Sequence, residues 1–271
     1  MAERAARKAR PLIRLQVLRT ERLSPHMVRI VAGGSGLAEY VGNGCTDAYV
    51  KLAFPLPGVA YPESMDLRVI RAEYPREQWP KTRTYTVRYL DRQAGELALD
   101  FVVHGDEGLA GPWALAVQPG DDMLIAGPGG SYAPTVEADW HLLVGDESAL
   151  PAISSALERI PDGTRVRAII RVADAAEELP LVIKTGTEIT WLHRSSGGDI
   201  VETVRALDFG EGIVQAFVHG EAGFVRELRR HLLEDRGVRK DLLSLSGYWR
   251  QGKDEDGWQA EKAEEKAKAV R

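Results

Sequence analysis

The 271 residues predict an antiparallel β-barrel followed by an α/β unit built on a parallel sheet. Two patterns and a break between them predict it. Up to about residue 133, short runs rich in Val, Ile, Thr and aromatics are cut by Gly and Pro, with no long helical spacing. That is the signature of a small barrel. From Trp140 onward, apolar strands alternate with helical runs, the rhythm of βαβ units. Residues 133–138 carry neither pattern. The expected units are therefore 12–133 and 138–252, with 253–271 a helical extension.

In the first unit, Leu12–Leu18 and His26–Val31 read as strands around a Ser24-Pro25 turn, and Gly33-Gly34-Ser35-Gly36 ends the second. Ala48–Phe54 is a third strand that stops at Pro55 and Pro57. Residues 55–80 hold five prolines and read as an excursion, in which Leu67–Arg71 forms a short strand or a helix. Strand 83–90, a turn at Gln93-Ala94-Gly95 and strand 96–103 follow. In the last of these Leu97, Leu99, Phe101 and Val103 share one face. Pro119-Gly120-Asp121 turns the chain into strand 122–126.

In the second unit, strands at 140–144, 165–171, near 188–192, 213–218 and 242–246 alternate with helices after Ser148, at 199–207 and at 222–236. Leu150, Ile153, Leu157 and Ile160 keep helical spacing, and Pro151 is tolerated in a first turn. Trp258–Arg271 is rich in Ala, Glu and Lys and reads as an exposed helix, with Glu264 and Lys268 an i,i+4 pair.

Composition excludes several functions. With 44% hydrophobic and 28% charged residues the chain is an ordinary globular one, and its net charge of −5 attracts no nucleic acid. Residues 1–20 hold six cations (Arg4, Arg7, Lys8, Arg10, Arg14, Arg19) against Glu3 alone. Without an aromatic residue among them, this arm reads as solvated chain. The single Cys45 rules out an internal disulfide and any cysteine-cluster metal site. Six histidines lie far apart with no metal-ligand spacing, and no nucleophile elbow or phosphate loop is present. No run approaches about 18 apolar residues, and no signal peptide is visible. A cytoplasmic protein is expected.

Several loops are able to hold phosphates and flat rings. In Lys81–Tyr89, simple alternation puts Lys81, Arg83, Tyr85, Val87 and Tyr89 on one face. That is either an exposed Arg/Tyr pair or a grip on something flat and anionic, with Arg83 on a pyrophosphate. The Gly-rich stretch from His104 to Ala114 is either an anion-binding loop at the start of a helix or a hairpin plugged by Trp113. Gly127-Pro128-Gly129-Gly130-Ser131 is a backbone nest or an interdomain turn. Gly145-Asp146-Glu147-Ser148 and Gly220-Glu221-Ala222 occupy strand-to-helix turns, where α/β sheets bind ligands. Gly247-Tyr248-Trp249-Arg250-Gln251-Gly252 adds two aromatics and a cation after the last strand.

Taken together and in order, these segments resemble the siderophore-interacting protein family, flavin-dependent ferric-siderophore reductases of the ferredoxin-reductase-like superfamily. The resemblance rests on Arg83-Thr84-Tyr85-Thr86, Phe101–Gly105, Trp113-Ala114 with Pro119-Gly120-Asp121, Gly127–Ser131, Gly145–Ile153, Gly220–Ala222 and Gly247–Gly252. It implies a Greek-key FAD-binding barrel followed by a domain for NADH or NADPH. Arg83, Thr84, Tyr85 and Thr86 would hold FAD, with Val102, Val103 and His104 along its ribityl side. Ala110, Gly111, Trp113 and Ala114 would wrap the pyrophosphate. Here Gly108-Leu109-Ala110-Gly111-Pro112 replaces the family's usual Gly-Pro-Ala-Ser, so the serine hydroxyl is missing and a Gly111 amide would have to stand in for it. Asp146, Glu147, Ala149, Gly220, Glu221 and Trp249 would meet the nicotinamide nucleotide. Lys51, Arg250 and Lys253 would attract an anionic ferric siderophore. No catalytic acid, base or metal ligand is implied, and a monomer is expected. The alternatives are a flavin or electron-transfer reductase with another acceptor, or a non-enzymatic siderophore-binding protein.

Overall fold

The computed structural model describes residues 11–103, 108–253 and 257–258. The first half closes into a barrel of β1 (Ile13–Ser24), β2 (Met27–Gly33), β3 (Tyr49–Phe54), β4 (Lys81–Asp91), β5 (Glu96–Val102) and β6 (Asp122–Gly129). Around the wall the order is β1-β2-β5-β4-β3-β6, and every neighbouring pair is antiparallel. Because β2 pairs with β5 rather than with β3, the path is of Greek-key type.

Alternation fills the interior. Leu15 and Val17 point inward from β1, Val50 and Leu52 from β3, and Met123 and Ile125 from β6. Leu97, Leu99, Phe101 and Val103 form the row in the barrel core that their spacing predicts, although Ala98 and Asp100 on the other face are buried as well. The proline-rich excursion resolves as a helix, α1 (Leu67–Glu73), because the Asp66 carboxylate caps it by accepting from the Arg68 amide at 2.8 Å. A second helix, α2 (Ala110–Ala116), lays Ala110 and Ala114 on the barrel core.

The second half is a five-stranded parallel sheet of β7 (Trp140–Asp146), β8 (Arg165–Val172), β9 (Thr187–His193), β10 (Val214–Glu221) and β11 (Leu243–Trp249), ordered β11-β10-β7-β8-β9. Helix α3 (Leu150–Arg159) covers one face. It buries Leu150, Ile153 and Leu157, with Ile160 just beyond, as helical spacing requires. Helices α4 (Ile200–Ala206) and α5 (Ala222–Arg230) cover the other face. The α-helical part of the expected 222–236 helix ends at Arg230 and passes into a π-helical turn, His231–Asp235. The connections leave in opposite directions from β7 and β10, which makes the carboxyl edge between them the natural ligand crevice.

The barrel docks on the α3 face. Met27, Leu23 and Val102 belong to the same apolar cluster as Leu150, Ile153 and Leu157. Polar contacts then fix the orientation. Arg88 pairs with Glu158, the Ser155 hydroxyl donates to the Arg88 carbonyl at 2.9 Å, and Arg159 reaches the Gly44 carbonyl. At the far side Glu177, only 3% exposed, accepts from the Ser24 hydroxyl at 2.5 Å, the His26 amide at 3.3 Å and His26 Nδ1 at 2.5 Å.

The basic arm is described only from residue 11. Its Arg14 pairs with Asp122 and its Arg19 with Glu21 and Glu96, so these two cations belong to ion pairs on the outer wall rather than to free chain. Of the expected C-terminal helix, Glu264 and Lys268 lie outside the described residues. Trp258 is buried rather than exposed: a Cβ on Gly247 would come within 3.1 Å of its ring.

Burial alone would push the Glu177 carboxyl up, but Ser24 and His26 hold it below the ordinary range. A lowered folded value means its contribution is complete above the reference value of 4.5 and is lost as pH falls through the folded one. Glu177→Gln is expected to cost about 1–3 kcal/mol at neutral pH and to flatten the acid limb of a stability-against-pH curve measured by urea unfolding.

Candidate functional site

The site is built from the barrel end of β4. Val87 lies in the barrel core, and Tyr85 packs against it with its ring 4.1 Å from Phe101. Phe101 in turn lies 5.6 Å from Trp113, which meets Phe54 edge-on at 5.7 Å. Arg83 shares the Tyr85 face by alternation; it is half-buried and donates to the Thr82 carbonyl at 3.0 Å. Val103, Ala110 and Ala114 are buried in the same core, and a Cβ on Gly111 would stand 3.8 Å from the Val103 Cα. A cation, a half-buried phenol ring and the start of α2 therefore converge on one end of the barrel. His104 lies outside the described residues.

The face that simple alternation assigns to residues 81–89 does not run its full length. Val87 pairs with Leu99 while Tyr89 pairs with Ala98, so Arg88 is an extra residue in the ladder. Such a bulge rotates everything after it. Tyr89 turns outward, where its hydroxyl donates to Glu96 at 3.2 Å and its ring lies 5.7 Å from the Arg29 guanidinium. The bulged Arg88 is the residue aimed at α3.

Thr84 and Thr86 point to the opposite side from Tyr85, Thr84 exposed and Thr86 buried. In the β3–β4 register they stand across from Lys51 and Tyr49. Thr86 is hydrogen-bonded to the phenol of the half-buried Tyr248, which loss of surrounding water pushes well above the ordinary tyrosine range. Tyr49 lies flat on β6 at Gly129, where any Cβ would collide with its ring. Together with Asp47, Ser131, His219, Ser244 and Tyr248, Tyr49 lines a 340 Å³ cleft between the two halves. Lys51 is exposed on β3. Arg250 and Lys253 share the turn after β11, with the Lys253 amide donating to the Arg250 carbonyl at 3.1 Å and the Arg250 guanidinium 5.8 Å from the Trp258 ring. Val102 faces the other way from Val103 and joins the α/β core.

At the carboxyl edge of the sheet, Asp146 is fully buried, and its carboxylate is used internally. It accepts from the Ser148 amide at 3.0 Å and hydroxyl at 2.5 Å, the Glu221 amide at 2.8 Å and the Trp249 indole at 2.9 Å. Burial pushes its carboxyl up, and Ser148 and Trp249 pull it back. Gly220, at φ +137°, is required here because a Cβ would stand 2.5 Å from the Asp146 oxygen. Ala149 is buried behind the turn, and Glu221 caps α5 through the Gly223 and Phe224 amides. Trp249 is left 40% exposed. Glu147 makes a two-pronged pair with Arg194, just past β9. That arginine, and Arg171 at the end of β8, were not among the expected residues: on a strand with three arginines nothing in the spacing separates one from the others. Among the described residues, no group of three or more His, Cys, Asp or Glu side chains is placed to hold a metal.

This donor set suits a flat anionic dinucleotide: one guanidinium and one ring on a shared face, with hydroxyls beyond. The model for the siderophore-interacting FAD-binding domain matches residues 16–132, and that for the siderophore-interacting protein matches residues 138–252. An NADPH-dependent ferric-chelate reductase of Escherichia coli K12 is 38% identical over 241 residues, covering 87% of this chain and 91% of its own. The chain belongs to the siderophore-interacting protein family. Another relative, the ferric vibriobactin reductase ViuB of Vibrio cholerae, is 30% identical over 92% of this chain and 93% of its own. Among solved structures, the family member SipS from Aeromonas hydrophila is 31% identical and superposes with a TM-score of 0.79 over 94% of this chain and 98% of its own. Family membership makes the first half an FAD-binding domain.

Asp146→Asn keeps the shape but replaces an acceptor oxygen by a donor amide facing two or more N–H or O–H groups. It is expected to destabilise the α/β half by about 2–4 kcal/mol, read as a lower melting temperature together with a shift in Trp249 fluorescence.

Proposed function

We propose that the protein is a flavin-dependent ferric-siderophore reductase of the cytoplasm, which draws electrons from a nicotinamide nucleotide and releases Fe(II). The observation that carries this reading is the meeting of two surfaces at Thr86 and Tyr248. On one side is the barrel end bearing Arg83 and Tyr85. On the other is the sheet edge bearing Gly220, Trp249 and Arg250. A donor seated at that edge and a flavin seated at the barrel end would be in reach of each other.

Bound FAD supplies the conversion of a two-electron donor into one-electron deliveries. The chain supplies position and charge. Arg83 would pair with the pyrophosphate, where charge-assisted hydrogen bonds are strong. Tyr85 would lie along the ring system, its own position set by Phe101 and Val87 behind it. Trp113 and the Ala110-Gly111 start of α2 would close over the phosphates. On the donor side, the Asp146 network would hold Trp249 and the Gly220 turn in one shape. Thr84, next to the exposed Lys51, would face the acceptor. One electron converts each Fe(III) to Fe(II), so one donor nucleotide serves two chelates. Hard siderophore oxygens hold Fe(II) far less well than Fe(III), and release follows.

The chain's net charge of −5 would repel an anionic chelate, so local cations are needed to capture it. Lys51 on β3 and Arg250 and Lys253 beyond β11 are the cations assigned to that task. A substrate class of anionic ferric chelates follows from them.

The decisive experiment is anaerobic. The purified protein is titrated with NADPH and NADH, then mixed with a panel of ferric siderophores while Fe(II) is trapped by a ferrous-specific chelator. Fe(II) produced at one electron per chelate supports the reading. A yellow protein that is reduced but yields no Fe(II) from any chelate points to another acceptor, and a colourless one that takes up no FAD removes the enzyme altogether. Arg83→Ala is expected to weaken FAD binding about ten- to a hundredfold with the barrel still folded, as measured by flavin fluorescence during equilibrium dialysis. Lys51→Ala combined with Arg250→Ala should raise KM for an anionic ferric chelate about tenfold at low salt while flavin content stays the same.

A further inference from the structure

The sheet's carboxyl edge holds two arginines that the electron-transfer reading leaves without a task. Arg171 is the penultimate residue of β8 and lies on the α5 side, its guanidinium 5.6 Å from the Phe224 ring. Its Nε is buried with no hydrogen-bond partner among the described residues. The side chain as a whole is only half-buried, so the rest of its fork is open to a ligand at the edge while the buried donor goes unused, which is costly. Arg194 follows β9, whose Leu192 is the register partner of Arg171. The Ser195 amide donates to the Ala173 carbonyl at 3.0 Å, so the two loops are tied together just beyond the strands. Glu147 occupies two of the Arg194 donors and orients the fork; a guanidinium has five.

In doubly wound folds, the residue that reads the donor's ribose follows the strand next to the first one. An acid there accepts from a free 2′-hydroxyl, whereas an arginine meets a 2′-phosphate. Here that strand is β8. The acid just after it, Asp174, is already committed: it accepts from the Ala176 amide at 2.8 Å and caps the turn at Ala175–Glu177. The acids that face Arg194 are Glu147, Asp146 and Glu177. Asp146 is enclosed by its own donors, and Glu177 by Ser24 and His26, which leaves Glu147 as the single acid held against the fork. Among the described residues, Arg171 forms no ion pair with an acid.

We propose that Arg171 and Arg194 form a seat for the 2′-phosphate of the donor's adenosine ribose, so that the protein selects NADPH over NADH. The inference rests on the reading that a nicotinamide nucleotide is the electron donor, but not on the identity of the acceptor. It assigns specificity to two side chains that touch neither flavin nor iron.

Calorimetric titration of the full FAD-loaded chain with 2′,5′-ADP and with 5′-AMP tests it without any electron transfer. The unaltered protein should bind 2′,5′-ADP at least about tenfold more tightly than 5′-AMP, and the difference should shrink as salt rises. Arg171→Gln and Arg194→Gln should each bring the ratio down by about tenfold, with flavin content and melting temperature reporting that the fold is intact. Arg171→Lys, which keeps the charge, should retain part of the preference. Equal binding of the two nucleotides by the unaltered protein overturns the proposal, as does failure to bind either one. So does a ratio that survives both glutamine variants. A chain that prefers 2′,5′-ADP yet reduces no ferric chelate would sink the reductase reading and leave this one standing. A chain that reduces chelates equally well with NADH and NADPH would do the reverse.

Discussion

The carboxylate of Asp146 holds the working edge of the α/β half together. Taking a carboxylate out of water costs several kcal/mol unless donors replace the water around it. Here the donors come from three separate places: the turn before α3, the Glu221 amide opening α5, and the Trp249 indole ending β11. Each must arrive within hydrogen-bond distance or the charge is left exposed to an apolar interior. The three turns are thus fixed relative to one another by a single group, and Gly220 is required because the carboxylate leaves no room for a Cβ. Trp249 inherits a fixed attitude from this arrangement, presenting a partly exposed ring at the edge while its nitrogen is held inside.

The relation between the two halves is set by a different kind of contact. Apolar packing of Met27, Leu23 and Val102 on the α3 layer brings the barrel onto the sheet but is not directional. Direction comes from the polar pairs at its margins, Arg88 with Glu158 and Ser155 on one side, Ser24 and His26 with Glu177 on the other. Glu177 sits three residues past Asp174, on the loop tied to Arg194's own loop. The barrel hairpin and the carboxyl edge of the sheet are therefore joined through one short connection, which sets the barrel end and the sheet edge at a fixed separation.

Much of this was legible in the sequence. The period of two in Leu97, Leu99, Phe101 and Val103 and the helical period of Leu150, Ile153, Leu157 and Ile160 led directly to a barrel and a covered parallel sheet. Burial follows periodicity closely when one face of an element meets a core. What spacing does not carry is a change of face within an element. Tyr89 reads as a neighbour of Tyr85 until the ladder is seen to gain a residue at Arg88. Nor does it tell a ligand-facing acid from one consumed inside the protein. Asp146 sits where a nucleotide would be met, but its lone pairs are taken by groups 75 and 103 residues away along the chain. Arg171 is hidden in another way: in a strand written Arg-Val-Arg-Ala-Ile-Ile-Arg-Val, its cation looks like one more solvated end.

The extra residue at Arg88 also sets how this strand can vary. Deleting it would restore a regular pleat in which Val87 keeps Leu99 as its partner, Tyr89 keeps Ala98 and Leu90 keeps Leu97. Arg83, Tyr85 and Val87 would stay on their present face. What would go is the guanidinium on Glu158 and the carbonyl that accepts from Ser155. The strand behaves like a text with one spare letter: taking it out leaves every other side chain reading as before and removes only the word it spelled to α3.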